Sequence, residues 1–324
     1  MPEGKRSMRR KEPRVFVNVQ GDILPAEEAK IGVLDHGFLY GDSVYETVRT
    51  YRRVPFLLGR HLDRLQRSMD RIFLPLPLGR SDLESEVFRS IEEVPFDGEI
   101  VLRIVISRGP GPVGLDIRLC QDPLFLVYVI ELTEGLVPEA SDPRGPGLGV
   151  SAVISKIRRN SPRALDPSIK SGNFLNNVLA FKDARDAGAH EAILCTPDGY
   201  LAEGTTSNLF VVKDGLIWTP RREGILDGIT RAVVFEEARA DGQSIGETNI
   251  PPEALFSADE AFITSSVKGI VPITLVNGQV VGRGRRGPIT HRLQQLYEER
   301  MERECSTPSP RIATSALRES KRDR

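Results

Sequence analysis

The segment Val137-Pro-Glu-Ala-Ser-Asp-Pro-Arg-Gly-Pro-Gly-Leu-Gly149 is too rich in Pro, Gly and Ser to continue a helix or a strand, so it cuts this 324-residue chain into two separately patterned halves. Residues 137–149 read as a linker. Before it, alternating apolar patterns predict strands at Val15–Val19, Tyr45–Tyr51, Ile100–Ser107 and Leu124–Ile130. Helical periodicity predicts helices at His61–Ile72 and Ser81–Glu92, with Leu62, Leu65, Met69 and Ile72 on the buried face of the first. Residues 14–136 therefore form a small α+β domain. After the linker come a strand at Val150–Ile157, a helix up to about Ala187 with Leu175, Val178 and Leu179 on one face, and short strands at Glu191–Thr196, Asn208–Val212, Leu216–Thr219 and Ile273–Val276. Residues 150–304 make a second, larger domain. The ends, 1–13 and 305–324, are polar without apolar periodicity and are expected to be disordered tails.

Composition narrows the function classes. With 44 basic and 45 acidic residues the formal net charge is −1, which gives no reason to expect nucleic acid or an anionic membrane as a partner. No apolar run approaches the roughly 20 residues needed to cross a bilayer. The basic N-terminal stretch is not followed by an apolar signal core, so a cytoplasmic location is expected. Three cysteines, Cys120, Cys195 and Cys305, lack any C-x-x-C spacing, and neither a disulfide framework nor a metal site is expected. Neither a G-x-G-x-x-G nor a Walker sequence occurs, which disfavours a simple nucleotide-binding module.

Three stretches carry chemistry. Lys170-Ser-Gly-Asn-Phe-Leu-Asn-Asn-Val-Leu places a lysine among small residues ahead of a helical pattern. A lysine held where its amine can lose its proton is a candidate for covalent attachment to a carbonyl cofactor. Leu201-Ala-Glu203-Gly-Thr-Thr-Ser-Asn208-Leu-Phe places a carboxylate between two predicted strands, where it can hold a protonated pyridine nitrogen. Gly228-Ile-Thr-Arg231 opens an amphipathic run, so the N–H groups of Ile229 and Thr230, with the Thr230 hydroxyl, can receive a phosphate at a helix N-terminus.

Taken with Asp35-His-Gly-Phe-Leu-Tyr40-Gly-Asp-Ser-Val-Tyr45-Glu-Thr-Val-Arg49, His61-Leu-Asp-Arg64-Leu and Arg108-Gly-Pro-Gly-Pro-Val-Gly-Leu-Asp116, these stretches resemble, in order and spacing, the class IV aminotransferases of pyridoxal-phosphate fold type IV. The resemblance runs from about Val15 to about Leu296 and is strongest to the branched-chain amino acid aminotransferases. It implies a pseudo-barrel for the larger domain, pyridoxal 5'-phosphate as cofactor, Lys170 as the catalytic residue and Glu203 on the pyridine nitrogen. It further implies phosphate contacts from Arg64, Ile229, Thr230 and Ser266, and a substrate pocket drawn from Tyr40, Arg49, Arg103 and Val267. On helical spacing alone Arg64 shares a stripe with Arg60, Arg67 and Arg71, which would ordinarily be a solvated face. A homodimer is also implied.

Several positions depart from the branched-chain pattern. Phe174 stands where those enzymes have a tyrosine whose hydroxyl meets the cofactor's phenolate oxygen, Val101 where a tyrosine commonly helps to bind the carboxylate, and Lys268-Gly269 where alanine or threonine followed by glutamate is usual. The expected function is transfer of an amino group from an aliphatic, branched-chain-like L-amino acid to 2-oxoglutarate. The alternatives are an aminodeoxychorismate lyase releasing pyruvate and 4-aminobenzoate, a D-amino acid aminotransferase, and a cofactor-binding protein without turnover. Val113-Gly-Leu115, lacking the Arg-x-His pair of the D-amino acid enzymes, disfavours that branch.

Overall fold

In the computed structural model, residues 12–133, 141–142, 145–146 and 149–306 are described. Most of the 137–149 linker and of the two tails lies outside them.

The first half builds β1 (Val15–Val19), β2 (Asp22–Pro25), a short α1 (His36–Tyr40), β3 (Ser43–Tyr51), β4 (Val54–Pro55), α2 (Leu58–Arg71), α3 (Arg80–Glu93), β5 (Ile100–Ser107) and β6 (Leu124–Glu131). Its six strands form one sheet in the order β2-β1-β6-β5-β3-β4. Alternation along β3 and β5 gives the sheet two distinct faces. Val44 and Val48 of β3, with Leu102, Ile104 and Ile106 of β5, pack under Leu58, Leu62, Leu65 and Met69 of α2 and under α3. Burying each such side chain contributes roughly 1.5–3 kcal/mol. The opposite face carries Tyr45 and Thr47 of β3 and Arg103 of β5, which pairs with Thr47, and it looks onto the second half of the chain.

A two-stranded ladder of β7 (Ser141–Asp142) and β8 (Gly145–Pro146) precedes the larger unit. There follow β9 (Val150–Arg158), α4 (Leu175–Asp186), β10 (Glu191–Cys195), β11 (Leu201–Gly204), β12 (Asn208–Lys213), β13 (Leu216–Pro220) and α5 (Ile229–Ala240). The unit ends with β14 (Ile245–Thr248), β15 (Glu260–Ser265), β16 (Gly269–Val276), β17 (Gln279–Val280) and α6 (Pro288–Cys305). The order β11-β10-β9-β16-β15-β12 returns to its start because β12 also pairs with β11, so six strands close into a barrel. Closure removes the free edges, and Ile193, Leu201, Leu209, Ile263 and Ile273 fill the interior. A further core of Phe210, Phe262, Val233, Val234, Leu293 and Leu296 packs α5 and α6 against the outside of the barrel. The chain is thus α+β with a barrel-like second sheet, as the resemblance implied.

Two readings of the sequence need correction. On α4 the buried positions are Asn177, Ala180 and Ala184, while Leu175, Val178 and Leu179 are 66%, 58% and 47% exposed. The predicted apolar face therefore points away from the barrel, and small residues face inward because α4 lies close over β9 and β10. Glu203 lies within strand β11 rather than in a loop between strands. Its strand is too short and too fully buried to show alternation, and its register partner Asn208 supplies the barrel-closing pair.

Candidate active site

A cavity of about 320 Å³ opens between the arginine-bearing face of the first sheet and the barrel. It gathers Lys170, Arg64, Glu203, Ile229, Thr230, Ser266, Arg103 and Val267 from the two halves of the chain.

Lys170 stands outside helix and strand, ahead of Phe174, the N-cap residue of α4. Its carbonyl accepts from the Tyr45 N–H at 2.9 Å, Gly172 N–H donates to the Ser43 carbonyl at 2.7 Å, and Ser171 bridges to Val44. The Lys170 N–H donates to Ser68 Oγ of α2 at 3.2 Å. Held from both sides, the side chain lies along the pocket with Nζ 4.4 Å from the centroid of the Tyr45 ring.

Glu203 is 4% exposed, and its position is fixed by barrel closure. Oε1 accepts from Arg159 Nε at 2.7 Å; Oε2 accepts from the Leu226 N–H at 3.0 Å and from Asn208 Nδ2 at 3.4 Å. Burial pushes the Glu203 carboxyl above the usual carboxylate range, and the charge of Arg159 with the Leu226 N–H offsets this only in part. A buried acid of that kind, facing a cavity, matches a ring nitrogen that must carry a proton.

The cavity wall at the start of α5 is built for an anion. Gly228 precedes α5 without a side-chain cap, so the N–H groups of Ile229 and Thr230 have no partner within the helix. A Cβ at Gly228 would meet Asn208 Oδ1 at 1.9 Å, so only glycine lets the helix start approach β12 at Asn208, the register partner of Glu203. Arg64 is 4% exposed, and the solvated-stripe reading fails for it: its Nη1 donates to the Asp227 carbonyl at 2.8 Å, beside the helix start. Thr264 Oγ1, at the end of β15 and lining the cavity, is buried without a hydrogen-bond partner. An amine, a buried carboxylate and an orphaned hydroxyl beside open helix N–H groups together fit a phosphorylated pyridine aldehyde. Among the described residues, no cluster of three or more His, Cys, Asp or Glu side chains suits a metal.

The proposed substrate residues separate. Arg103 lines the cavity with its guanidinium carbon 3.7 Å from the Tyr45 ring centroid, and Val267 lines it as well. Arg49 stands behind the wall, its Nη1 donating to the Val267 carbonyl at 2.9 Å, and so braces the Val267 turn. Tyr40 is not brought to the cavity within one chain; its hydroxyl accepts from the Gly114 N–H at 3.1 Å. Phe174 lines the cavity and meets Tyr45 edge-on. Sequence reasoning missed Arg159, Asn208, Thr264, Glu46 and His61. For Glu46 a signal existed, because a carboxylate midway between Val44 and Val48 in a strand shares their buried face and demands a charged partner from the facing helix.

A family model described as amino-transferase class IV matches residues 43–276, which contain every one of these cavity residues. This chain belongs to the class IV aminotransferases. Its relatives within the family divide among activities. A Bacillus licheniformis D-alanine aminotransferase is 32% identical over 86% of this chain and 94% of its own. A Bacillus subtilis (strain 168) aminodeoxychorismate lyase is also 32% identical, over 88% of this chain and 94% of its own. Among solved structures, the T.th. branched-chain amino acid aminotransferase complexed with N-(5'-phosphopyridoxyl)-L-glutamate superposes with a TM-score of 0.81, at 28% identity, over 91% of this chain and 96% of that one. The cofactor of this chain is accordingly pyridoxal 5'-phosphate. Family membership does not choose among these activities, and the substrate pocket must decide.

Proposed function

We propose that this class IV aminotransferase carries pyridoxal 5'-phosphate on Lys170 and moves an amino group from an aliphatic L-amino acid to 2-oxoglutarate. The observation that carries this reading is the convergence on one cavity of the Lys170 amine, the Glu203 carboxylate and the open N-terminus of α5. Bound there, the cofactor supplies an aldehyde carbon that takes up the amino group and a ring that accepts the electron pair of the Cα–H bond.

The residues have distinct tasks. Glu203 holds the proton on the pyridine nitrogen, while Arg64, Ile229, Thr230 and Ser266 anchor the phosphate. With the cofactor bound, Lys170 Nζ would take the proton from the substrate Cα and return it to the cofactor's former aldehyde carbon, so that the amino group stays on the cofactor and the substrate leaves as a 2-oxo acid. Arg103, with its planar fork in the cavity and no ion pair among the described residues, binds a substrate carboxylate. Ile169, Leu165, Phe174 and Val267 give the same cavity apolar wall for an aliphatic side chain.

Mixing an aliphatic L-amino acid with 2-oxoglutarate should give glutamate and the matching 2-oxo acid. Arg103→Ala should raise KM about tenfold, an amount typical of a lost charge-assisted contact, with a smaller effect on kcat. If aminodeoxychorismate instead gives pyruvate and 4-aminobenzoate while no L-amino acid gives glutamate, the lyase reading replaces this one.

The assembly is proposed to be a homodimer. Support comes from the exposed apolar side chains Leu175, Val178 and Leu179 of one helix, α4, and Phe38 and Leu115 near Tyr40, which a second subunit would cover. Light scattering in solution should give twice the chain mass, and a single-chain mass would reject the dimer.

A further inference from the structure

Behind Arg64 lies a buried polar group that none of the steps above uses. Glu46 points from the helix-facing side of β3 and its side chain is 0% exposed. Its carboxylate takes Arg64 Nε at 2.6 Å on Oε1 and Arg64 Nη2 at 2.8 Å on Oε2, a side-on, two-bond grip. His61 Nδ1, one helical turn before Arg64 on α2, lies 2.7 Å from Oε2. Burial opposes ionisation of Glu46, but the charge and hydrogen bonds of Arg64, with the His61 bond, outweigh it and hold the carboxyl far below its usual range. An ionised carboxylate only accepts, so His61 Nδ1 carries the proton. Burial also holds the His61 ring below its ordinary range, with Glu46 offsetting part of that, so the ring is neutral near pH 7.

A guanidinium has five N–H groups. Glu46 takes two, one on Nε and one on Nη2, and the Asp227 carbonyl takes one on Nη1. That leaves one N–H on each Nη nitrogen of a residue that lines the cavity beside the start of α5. A long arginine side chain otherwise samples many rotamers, and selecting one of them costs entropy. Gripped along one edge by Glu46 and at one corner by Asp227, this one has its rotamer selected before any ligand arrives.

We propose that Glu46, oriented by His61, is a positioning residue that sets the Arg64 fork toward the phosphate of the cofactor. This rests on the assignment of Arg64 to that phosphate. It differs from a merely structural ion pair in one respect: its loss must weaken recognition of the phosphate and not of the pyridine ring. It differs also from a simple charge effect, since removing a carboxylate near an anion site would by charge alone strengthen phosphate binding.

The test measures affinities of the apoprotein for pyridoxal phosphate and for pyridoxal, with inorganic phosphate as competitor. Glu46→Gln is expected to weaken pyridoxal phosphate at least about tenfold and to leave pyridoxal within about twofold, with inorganic phosphate competing less well. Arg64→Met should do the same, and the double variant should be no weaker than Arg64→Met alone, since both act through one fork. Glu46→Asp and Arg64→Lys, which keep the buried charges balanced, should show the same phosphate-only loss at smaller size if the first variants fold poorly. Full pyridoxal phosphate affinity in Glu46→Gln or Glu46→Asp, equal loss of pyridoxal, or additive losses in the double variant would overturn the positioning role. Should both Arg64 variants keep full affinity, the assignment of Arg64 itself falls, and with it this proposal.

Discussion

Lys170→Ala should lose turnover by roughly 10⁴-fold, the upper range for a proton-transferring group, given the proposed role of Lys170 in attaching the cofactor and moving the proton. The loss should greatly exceed any loss of cofactor affinity, because the phosphate end and Glu203 are untouched. The cavity contains a second amine, Lys268, so the assignment needs a direct reading. Borohydride treatment of the holoenzyme should fix the cofactor to the peptide that contains Lys170. The backbone argues for that outcome: Lys170 is tied through its carbonyl to Tyr45 and through its N–H to Ser68, whereas Lys268 sits in a turn, its N–H on Ser265 Oγ at 3.2 Å. A carbonyl bond formed reversibly in every cycle requires the amine to return to one place, and a lysine anchored to two elements does so at less entropic cost than one in a turn. Fixation at Lys268, or a Lys170→Ala protein that turns over near the wild-type rate, would reject the assignment.

How far the sequence could be read depended on whether a residue's role was local. The strands Val15–Val19 and Ile100–Ser107 fall where alternation and apolar runs place them, and the Asn277-Gly278 turn joins β16 to β17 as a hairpin. The Lys170, Glu203 and Gly228 stretches could be picked out because each carries its chemistry in adjacent residues. Arg159 could not, since its partner Glu203 lies across the barrel wall and is reached only because β10 pairs with β9 on one edge and β11 on the other. Nor could barrel closure, which depends on a single register pair, Glu203 with Asn208, that no periodicity encodes. The exposed apolar face of α4 shows the converse error: periodicity located the stripe correctly, but a stripe does not say which surface it will meet. Arg64 shows the limit of composition on a helix, where one of four arginines at helical spacing turns inward because Glu46 lies across from it.

Glu203→Gln should lower kcat at least about tenfold, or 1.4 kcal/mol in the barrier, while changing affinity for the cofactor by less. The argument starts from the dryness of the site. Glu203 is buried, and burial raises its carboxyl above the usual range, with the charge of Arg159, bound through Nε, offsetting part of that rise. A carboxylate so placed makes it favourable for the pyridine nitrogen to keep its proton, and a protonated ring is the better acceptor of the electron pair left when the Cα–H bond breaks. Glutamine preserves the volume and can still offer one hydrogen bond, so the ring remains seated. It cannot stabilise a positive charge on the nitrogen, and Arg159 then loses the negative partner that offsets its own charge, which would disfavour that protonation further. The loss is therefore concentrated in the step in which charge flows into the ring, which appears in kcat. Cofactor affinity of the apoprotein and kcat with saturating substrate separate the two effects. Equal losses in both would make Glu203 a seat for the ring rather than the group that holds its proton, and the barrel-closing pair would then serve binding alone.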